Sequence, residues 1–169
     1  MQYQNTVKSL LSVAVLGFLT LGLASTSAVA QTNPATTTFG VSATVLKDCI
    51  VSATAMAFGN YTGAVNTPTS TVTVTCTNTT AYNVGLSAGL ATGATVTTRK
   101  MQNGANLLPY SLYSNSVMST NWGNTVGTDT VAGTGNGAAQ ALTVYGQIAA
   151  GLYVTPGSYT DTITATVTY

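Results

Sequence analysis

The side chains of this 169-residue sequence offer few means of catalysis. The sequence has no histidine and no glutamate, and its reactive groups are the acids Asp48, Asp129 and Asp161 and the thiols Cys49 and Cys76. A Ser-His-Asp triad and a His/Cys metal centre both require residues that the sequence lacks. Asp48 paired with Asp129 or Asp161 is the remaining arrangement that resembles a catalytic site, that of a glycosidase. No feature of the sequence singles out one of these acids as a proton donor, so we expect neither an enzyme nor a bound cofactor.

The charge content of the sequence argues against another class of function. Charged residues make up 4% of the chain, against about 25% in an average globular domain. The cations are Lys8, Lys47, Arg99 and Lys100. They form no basic patch that could neutralise phosphates, so we expect no nucleic-acid partner. The polar residues are mainly threonine, serine, asparagine and glycine spread along the chain, which favours a soluble, β-rich protein.

Residues 1–30 differ in composition from the rest of the chain. They carry one charge, Lys8, followed by an apolar run over residues 10–23 and the small residues Ala28-Val29-Ala30. This order is typical of a secretory signal peptide cleaved after Ala30. The alternative, a membrane anchor, would need about 20 apolar residues, and this run is shorter. We therefore predict export, no membrane insertion after cleavage, and a mature chain without net charge.

Export favours one of three roles for Cys49 and Cys76. An even number of cysteines in an oxidising compartment favours a disulfide bond. Metal ligation and a reactive thiol are the alternatives. Both are disfavoured because the sequence has no histidine to complete a metal site and no evident base to activate a thiol. We predict a structural bond between Cys49 and Cys76.

Alternation of residue type with a period of two dominates the chain after residue 35 and predicts β-strands. In residues 159–169 every even position is threonine and most odd positions are apolar, so one face of this strand would be a row of threonines. Residues 70–77 repeat the pattern. It recurs near the mature N-terminus at Phe39, Val41, Ala43 and Val45. Shorter candidate strands lie at residues 81–87, 95–101, 107–113 and 139–149.

Turn signals separate these candidate strands. Asn103-Gly104 predicts a hairpin, residues 60–63 predict a turn, and the glycine-rich residues 123–137 predict a mobile loop. Arg99-Lys100 reads as a solvated strand end. Because no segment shows a helical period, we predict an all-β sandwich or barrel.

The two ends of the mature chain pose a physical problem. The sequence stops at Tyr169, at the end of its most regular strand, and no following segment would cover the free side of that strand. An uncharged, regular edge is a template for pairing with another chain. Residues 31–41 form a threonine-rich extension with Phe39 and Val41 at alternate positions, and thus offer a spare extended segment. Strand addition between copies would satisfy both ends.

Several motifs then resemble a known family. Cys49 follows a short N-terminal strand and Cys76 ends a threonine/valine strand. The other motifs are Leu108-Pro109-Tyr110-Ser111-Leu112-Tyr113, Trp122-Gly123, Val144-Tyr145-Gly146 and the terminal strand from Gly157-Ser158-Tyr159-Thr160-Asp161-Thr162 to Tyr169. In this order, from about residue 38 to the end, the chain resembles the spore coat protein U domain family, which includes secreted pilins of the archaic chaperone–usher type.

The resemblance implies a fold, a set of partners and a location. The fold would be an incomplete immunoglobulin-like β-sandwich that lacks its last strand and is completed by donor-strand complementation. The partners would be a periplasmic pilus chaperone, an outer-membrane usher and homologous subunits. The chain would be secreted via the periplasm to a cell-surface fimbria that serves adhesion and biofilm formation. A fibre-tip adhesin that binds a surface or glycan, and a secreted coat or matrix protein, are the alternatives.

The resemblance also assigns roles to residues. Residues 31–41 would be the donor extension and residues 42–169 the sandwich domain. The donor residues would be Phe39, Val41, Ala43 and Val45. The first two could instead be core residues of a first strand, and the last two could belong to the subunit's own first strand. The acceptor edge, which a chaperone would also bind, would be Ile163, Ala165, Val167 and Tyr169.

The aromatic residues leave one alternative open. Core positions account for most such residues in β-proteins, but aromatics can also line a sugar-binding surface. The residues concerned are Tyr82, Tyr110, Tyr113, Trp122 and Tyr145. A sugar site would be sought first at Trp122 or at Tyr61.

Overall fold

A computed structural model describes residues 33–169, so the predicted signal peptide lies outside the described residues. The chain divides after Ser42 into two units, and each is described by itself. In the first unit, residues 33–42 have no regular secondary structure and every side chain is exposed. In the second unit, regular structure begins at Cys49. The predicted boundary between extension and domain, at residues 41 and 42, stays a prediction.

Eight strands form two antiparallel sheets in the second unit. The strands are β1 (Cys49–Ala53), β2 (Thr69–Cys76), β3 (Ala81–Leu86), β4 (Arg99–Asn103), β5 (Asn106–Tyr113), β6 (Val131–Thr134), β7 (Gln140–Gln147) and β8 (Ala165–Thr168). One sheet has the order β1-β2-β7-β5-β4 and the other has the order β6-β3-β8. Residues 33–169 contain no helix, and hence none that could cross a membrane. The predicted all-β fold is confirmed.

The core lies between the two sheets and follows the alternation seen in the sequence. In β2, Val72, Val74 and Cys76 are buried, while the threonines between them are only partly buried. Val84 and Leu86 of β3 face them from the other sheet and are also buried. Side chains on one face of each strand therefore pack together, as a period of two requires.

The Asn103-Gly104 turn is present as predicted. Asn103 pairs with Asn106, so a short turn joins β4 to β5. Gly104 has a φ of 58°, a conformation that glycine adopts without a steric penalty. The hairpin places Leu108 opposite Met101, and both side chains are buried in the core.

Three segments differ from the sequence prediction. Residues 39–45 form no strand, although they alternate. Within the predicted loop 123–137, Val131–Thr134 forms β6, which pairs with β3. The last strand is shorter than predicted because its chain crosses between the sheets. Thr160 pairs with Gln102 in the larger sheet, and only Ala165–Thr168 pairs with β3 in the smaller one.

Arg99 is buried in the core, so its prediction as a solvated strand end is wrong. Its guanidinium nitrogens donate hydrogen bonds to four main-chain carbonyls. The acceptors are the oxygens of Ser87 (2.8 Å), Val96 (2.7 Å), Leu86 (3.0 Å) and Trp122 (2.7 Å). Burial lowers the pKa of Arg99, but an arginine remains charged in a protein. The buried cation thus joins the end of β3 to the segment before β4, through Val96, and to the segment after β5, through Trp122.

The predicted disulfide is present and joins two neighbouring strands at their ends. Cys49 is the first residue of β1, Cys76 is the last residue of β2, and the two residues pair in the sheet. Thr77 N–H donates to the Asp48 carbonyl at 2.9 Å directly beside the bond. The disulfide therefore fixes the point at which the exposed N-terminal segment meets the sandwich.

Replacing both Cys49 and Cys76 with serine is expected to lower the free energy of unfolding by about 3–4 kcal/mol. The bond closes a loop with a sequence separation of 27, and its loss frees that loop in the unfolded chain. Guanidinium unfolding, followed by the fluorescence of Trp122, the single tryptophan, gives the value. Reduction of the wild-type protein should have the same effect. Equal stability of the oxidised and reduced proteins would contradict the prediction.

Candidate functional site

An open groove of about 1230 Å³ runs along one side of the sandwich. One side, here called the first wall, is residues 53–63, which continue from β1. The opposite side, the second wall, is made of residues 152–165, which lead into β8. The groove is larger than most small-molecule sites, which range from about 300 to 1,000 Å³. Its elongated walls suit an extended peptide.

The floor of the groove is the hydrophobic core itself. Core side chains from both sheets line it: Val72, Leu86, Met101, Leu108, Tyr110, Leu112, Val144 and Ile148. In a closed sandwich, such side chains would be covered by a further strand. Here, an apolar segment laid in the groove would pack directly against the core.

One edge of β8 pairs with β3, and the other edge is free. The main-chain N–H and C=O groups of Ala165 and Val167, whose side chains pack against the core, lie at the free edge. Ser87 N–H donates to the Thr164 carbonyl at 3.0 Å, so the even-numbered residues of this segment bond to β3. Hydrogen bonding alternates along an antiparallel ladder. The N–H and C=O groups of Ala165 and Val167 therefore point to the other edge, where β8 pairs with no strand of the described chain.

The free edge of β1 has the same arrangement. Thr77 N–H bonds to the Asp48 carbonyl and Thr54 N–H bonds to the Thr71 carbonyl, both at 2.9 Å, so the even-numbered residues bond to β2. The odd-numbered residues of β1 turn their main-chain groups outward. β1 pairs only with β2 within residues 33–169. Two open strand edges thus lie on the same side of the sandwich, and their Cα atoms approach within 8 Å.

The structure brings part of the predicted acceptor edge to the groove. Ile163 and Ala165 line it and pack against the core. Val167 also packs against the core but lies outside the lining. Tyr169 is 52% exposed and does not line the groove. The role of these residues in pairing with another chain stays a prediction.

The four predicted donor residues lie outside every strand. Phe39, Val41 and Val45 are 85%, 86% and 84% exposed, and Ala43 is also exposed. The alternative in which Phe39 and Val41 are core residues of a first strand is therefore wrong. For Ala43 and Val45, the strand alternative is wrong as well, because β1 begins only at Cys49. The donor role itself stays a prediction.

The buried aromatic residues belong to the core. Trp122 is 1% exposed, and its indole N–H donates to the Val84 carbonyl at 2.8 Å. Tyr82 and Tyr110 are buried as well. The sugar-site alternative is therefore wrong for Trp122. Tyr61, which the sequence placed in a turn, lines the groove instead.

The first wall is positioned by a glycine in β7. A Cβ atom at Gly146 would collide with the Met56 sulfur and would lie 3.0 Å from the Phe58 ring. The missing side chain therefore leaves room for both residues to pack against the core. The Phe58 ring also contacts the Tyr110 ring edge to face, with centroids 5.9 Å apart. These contacts could not be predicted from the sequence, because residues 54–63 show no period of two.

Asp161 is the only charged residue among those that line the groove. Its carboxylate accepts hydrogen bonds from Tyr110 O–H at 2.7 Å and from Leu90 N–H at 2.8 Å. Asp129, the other acid considered for catalysis, accepts Thr125 N–H at 2.7 Å. No group of His, Cys, Asp or Glu side chains within residues 33–169 is suited to hold a metal ion. These carboxylates bond to the chain itself and serve the fold.

Stability is expected to fall above pH 10 through Tyr110. Burial, together with the hydrogen bond to Asp161, holds the pKa of Tyr110 well above its usual value. An unfolded tyrosine ionises near pH 10, so above that pH the folded state keeps a proton that the unfolded state loses. This contributes a decrease of up to about 1.4 kcal/mol per pH unit. Denaturant unfolding at pH 9–12 should show a shallower decrease for Tyr110→Phe. Parallel pH profiles for the two proteins would refute this.

Comparisons with known proteins agree with this fold. The model of the Spore Coat Protein U domain matches residues 35–166. Protein U of Myxococcus xanthus is 36% identical over 107 residues, which cover 60% of this chain and 59% of that protein. The chain thus spans about three fifths of the length of this curated relative.

A solved structure shares the fold. One chain of a complex from Acinetobacter baumannii superposes with a TM-score of 0.53 and 24% identity. The match covers 75% of this chain and 40% of the other. That structure is a chaperone–tip adhesion subunit pre-assembly complex, CsuC–CsuE, of archaic chaperone–usher Csu pili. Two sheets without helices, this superposition and a family match over most of its length show that the chain is an immunoglobulin-like sandwich and belongs to the Spore Coat Protein U domain family.

Proposed function

We propose that this protein is a structural subunit of a surface pilus, assembled by strand exchange between copies. The open groove carries the proposal, since its floor is the core and two unpaired strand edges lie beside it. The occupant would be the N-terminal segment of a second copy. That segment has apolar side chains at alternate positions, among them Phe39 and Val41, and all of them are exposed.

The expected binding energy is sufficient for a non-covalent fibre. Burial of three or four apolar side chains contributes about 1.5–3 kcal/mol each, or about 5–12 kcal/mol before ordering costs. Main-chain hydrogen bonds along the open edges add to this. Only one carboxylate lines the groove, and it is already hydrogen-bonded, so an uncharged segment would suit it. Residues 33–46 carry no charge.

The partners and location follow from the family and from the similar solved structure. A subunit with an open groove exposes part of its core until the groove is filled, and exposed apolar surface promotes aggregation. A periplasmic chaperone that fills the groove would protect the subunit, and an outer-membrane usher would then exchange the chaperone for the next subunit. The subunit would reach the cell surface in a fimbria that serves adhesion and biofilm formation.

Co-expression tests the proposal. The full chain is expressed with and without a periplasmic chaperone of an archaic chaperone–usher system, and the periplasm is analysed by size-exclusion chromatography. We expect a one-to-one complex with the chaperone and little soluble subunit without it. A stable monomer that does not bind the chaperone and forms no polymers would refute the proposal.

A further inference from the structure

The two walls of the groove are held by different kinds of contact. The second wall is tied to the sheets at several points, including Thr160 to Gln102 and Asp161 to Tyr110. The first wall has few such ties. Between Thr54 and Gly63, the only main-chain group with a hydrogen bond in the described chain is the Phe58 carbonyl. The first wall is therefore held by few main-chain hydrogen bonds, and between its ends it is positioned by the packing of Met56 and Phe58 against the core.

Tyr61 joins one end of the first wall to residues 149–152. Its hydroxyl donates to the Ala149 carbonyl at 2.6 Å and accepts from Leu152 N–H at 3.1 Å. Gly151 N–H donates to the Gly63 carbonyl at 2.9 Å beside it. The hydroxyl of one side chain thus makes two of the three hydrogen bonds that join residues 61–63 to residues 149–152, and the main-chain pair of Asn66 and Ile148 follows directly beyond them.

We infer that the Tyr61 hydroxyl is a positioning group that fixes the first wall and sets the width of the groove at that end. The inference rests on the proposed function, since it concerns how tightly a guest strand is held. A strand that pairs with a wall needs donor–acceptor distances of about 2.7–3.2 Å along its length. A wall free to move away would lose these bonds first at the end nearest residue 61.

The variant Tyr61→Phe tests this inference, because it keeps the ring and removes both hydrogen bonds. The matched control is Tyr145→Phe. Tyr145 lies in β7 outside the lining of the groove, is partly buried like Tyr61, and its hydroxyl makes no hydrogen bond within the described residues. Both changes are made in the full chain carrying Phe39→Asp and Val41→Asp, so that its own segment does not compete. The probe is a labelled synthetic peptide of residues 33–48.

We expect the peptide to dissociate about tenfold faster from Tyr61→Phe, and at an unchanged rate from Tyr145→Phe. Peptides 33–44 and 37–48, each shortened at one end, separate positioning from general loosening. The effect of Tyr61→Phe should vanish for one of them, the peptide that no longer reaches residue 61.

Each of the remaining outcomes overturns a specific statement. Equal dissociation rates from Tyr61→Phe and its parent would overturn the role of Tyr61 and leave the proposed function intact. If Tyr61→Phe accelerated the dissociation of all three peptides equally, the substitution would loosen the domain as a whole, and this result would also overturn the positioning role of Tyr61. Absence of peptide binding to every protein would overturn the proposed function and the inference with it.

Discussion

Fibres should fail to form from a subunit in which Phe39 and Val41 are both replaced by aspartate. Each change removes about 1.5–3 kcal/mol of apolar burial in the groove and places a carboxylate where no partner neutralises it. We expect assembly to fall by more than about 1,000-fold, because 1.4 kcal/mol corresponds to a factor of ten. Electron microscopy of shed fibres and size-exclusion chromatography measure the effect.

A matched control adds the same two negative charges to the other face of the N-terminal segment. Thr38→Asp with Ser42→Asp alters exposed residues on the opposite side of the alternation, and assembly should persist. The Phe39/Val41 variant should still accept a donor, since both side chains are exposed and lie outside the sandwich strands. Mixed with wild-type subunits, it should therefore occur only as the first subunit of a fibre, because the next subunit can fill its groove but its own segment cannot fill another. Fibres of normal length from the variant alone would refute the donor assignment.

Arg99→Met is expected to lower the free energy of unfolding by about 5 kcal/mol. Four main-chain carbonyls lose their donor, and an unsatisfied buried polar group costs about 1–3 kcal/mol. The variant also no longer has the desolvation cost of a buried guanidinium, and this gain offsets part of the loss. Since domain stability is about 5–15 kcal/mol, the variant should be largely unfolded at moderate temperature. Denaturant unfolding followed by Trp122 fluorescence gives the value.

The neighbouring residue supplies the control. Lys100 is only partly buried and makes no side-chain hydrogen bond within the described residues, so Lys100→Met should change stability by less than about 0.5 kcal/mol. Equal stabilities of Arg99→Met and the wild type would show that the cost of burying the cation cancels its four hydrogen bonds.

Strands that lie inside a sheet were the most predictable part of the fold. β2, β5 and β7 match their candidate segments because alternation reports directly which face of a strand is buried. β6 escaped prediction because its four residues include Gly133, which lies against the Tyr82 ring, and a short glycine-containing run resembles a loop. Its strand character comes from pairing with β3, a contact distant in sequence.

Alternation was misleading where no sheet receives the segment. Phe39, Val41, Ala43 and Val45 alternate as regularly as the residues of β2, yet none of them lies in a strand. A period of two shows that a segment can form a strand, and not that a partner strand is present. Arg99 shows the opposite failure. The sequence does not show that four main-chain carbonyls converge on the Arg99 guanidinium, so Arg99 was predicted to be solvated.

The candidate site was predictable only along its edge. The odd-numbered residues of the terminal strand were identified from alternation, and two of them, Ile163 and Ala165, line the groove. The first wall was missed because Met56 and Phe58 are positioned by the space above Gly146, and Phe58 also by the Tyr110 ring. Such contacts join segments far apart in the chain and leave no local pattern.

The bond between Cys49 and Cys76 has a mechanical consequence for subunits joined end to end. Tension on a subunit's N-terminal segment would enter its domain at Cys49, the first residue of a short edge strand. Without the bond, such a pull would peel β1 from the sheet one hydrogen bond at a time. The disulfide transfers the load to β2, which is paired on both sides. Because β1 continues into the first wall, in the proposed fibre the same bond would shield the junction with the next subunit from strain applied at the previous one.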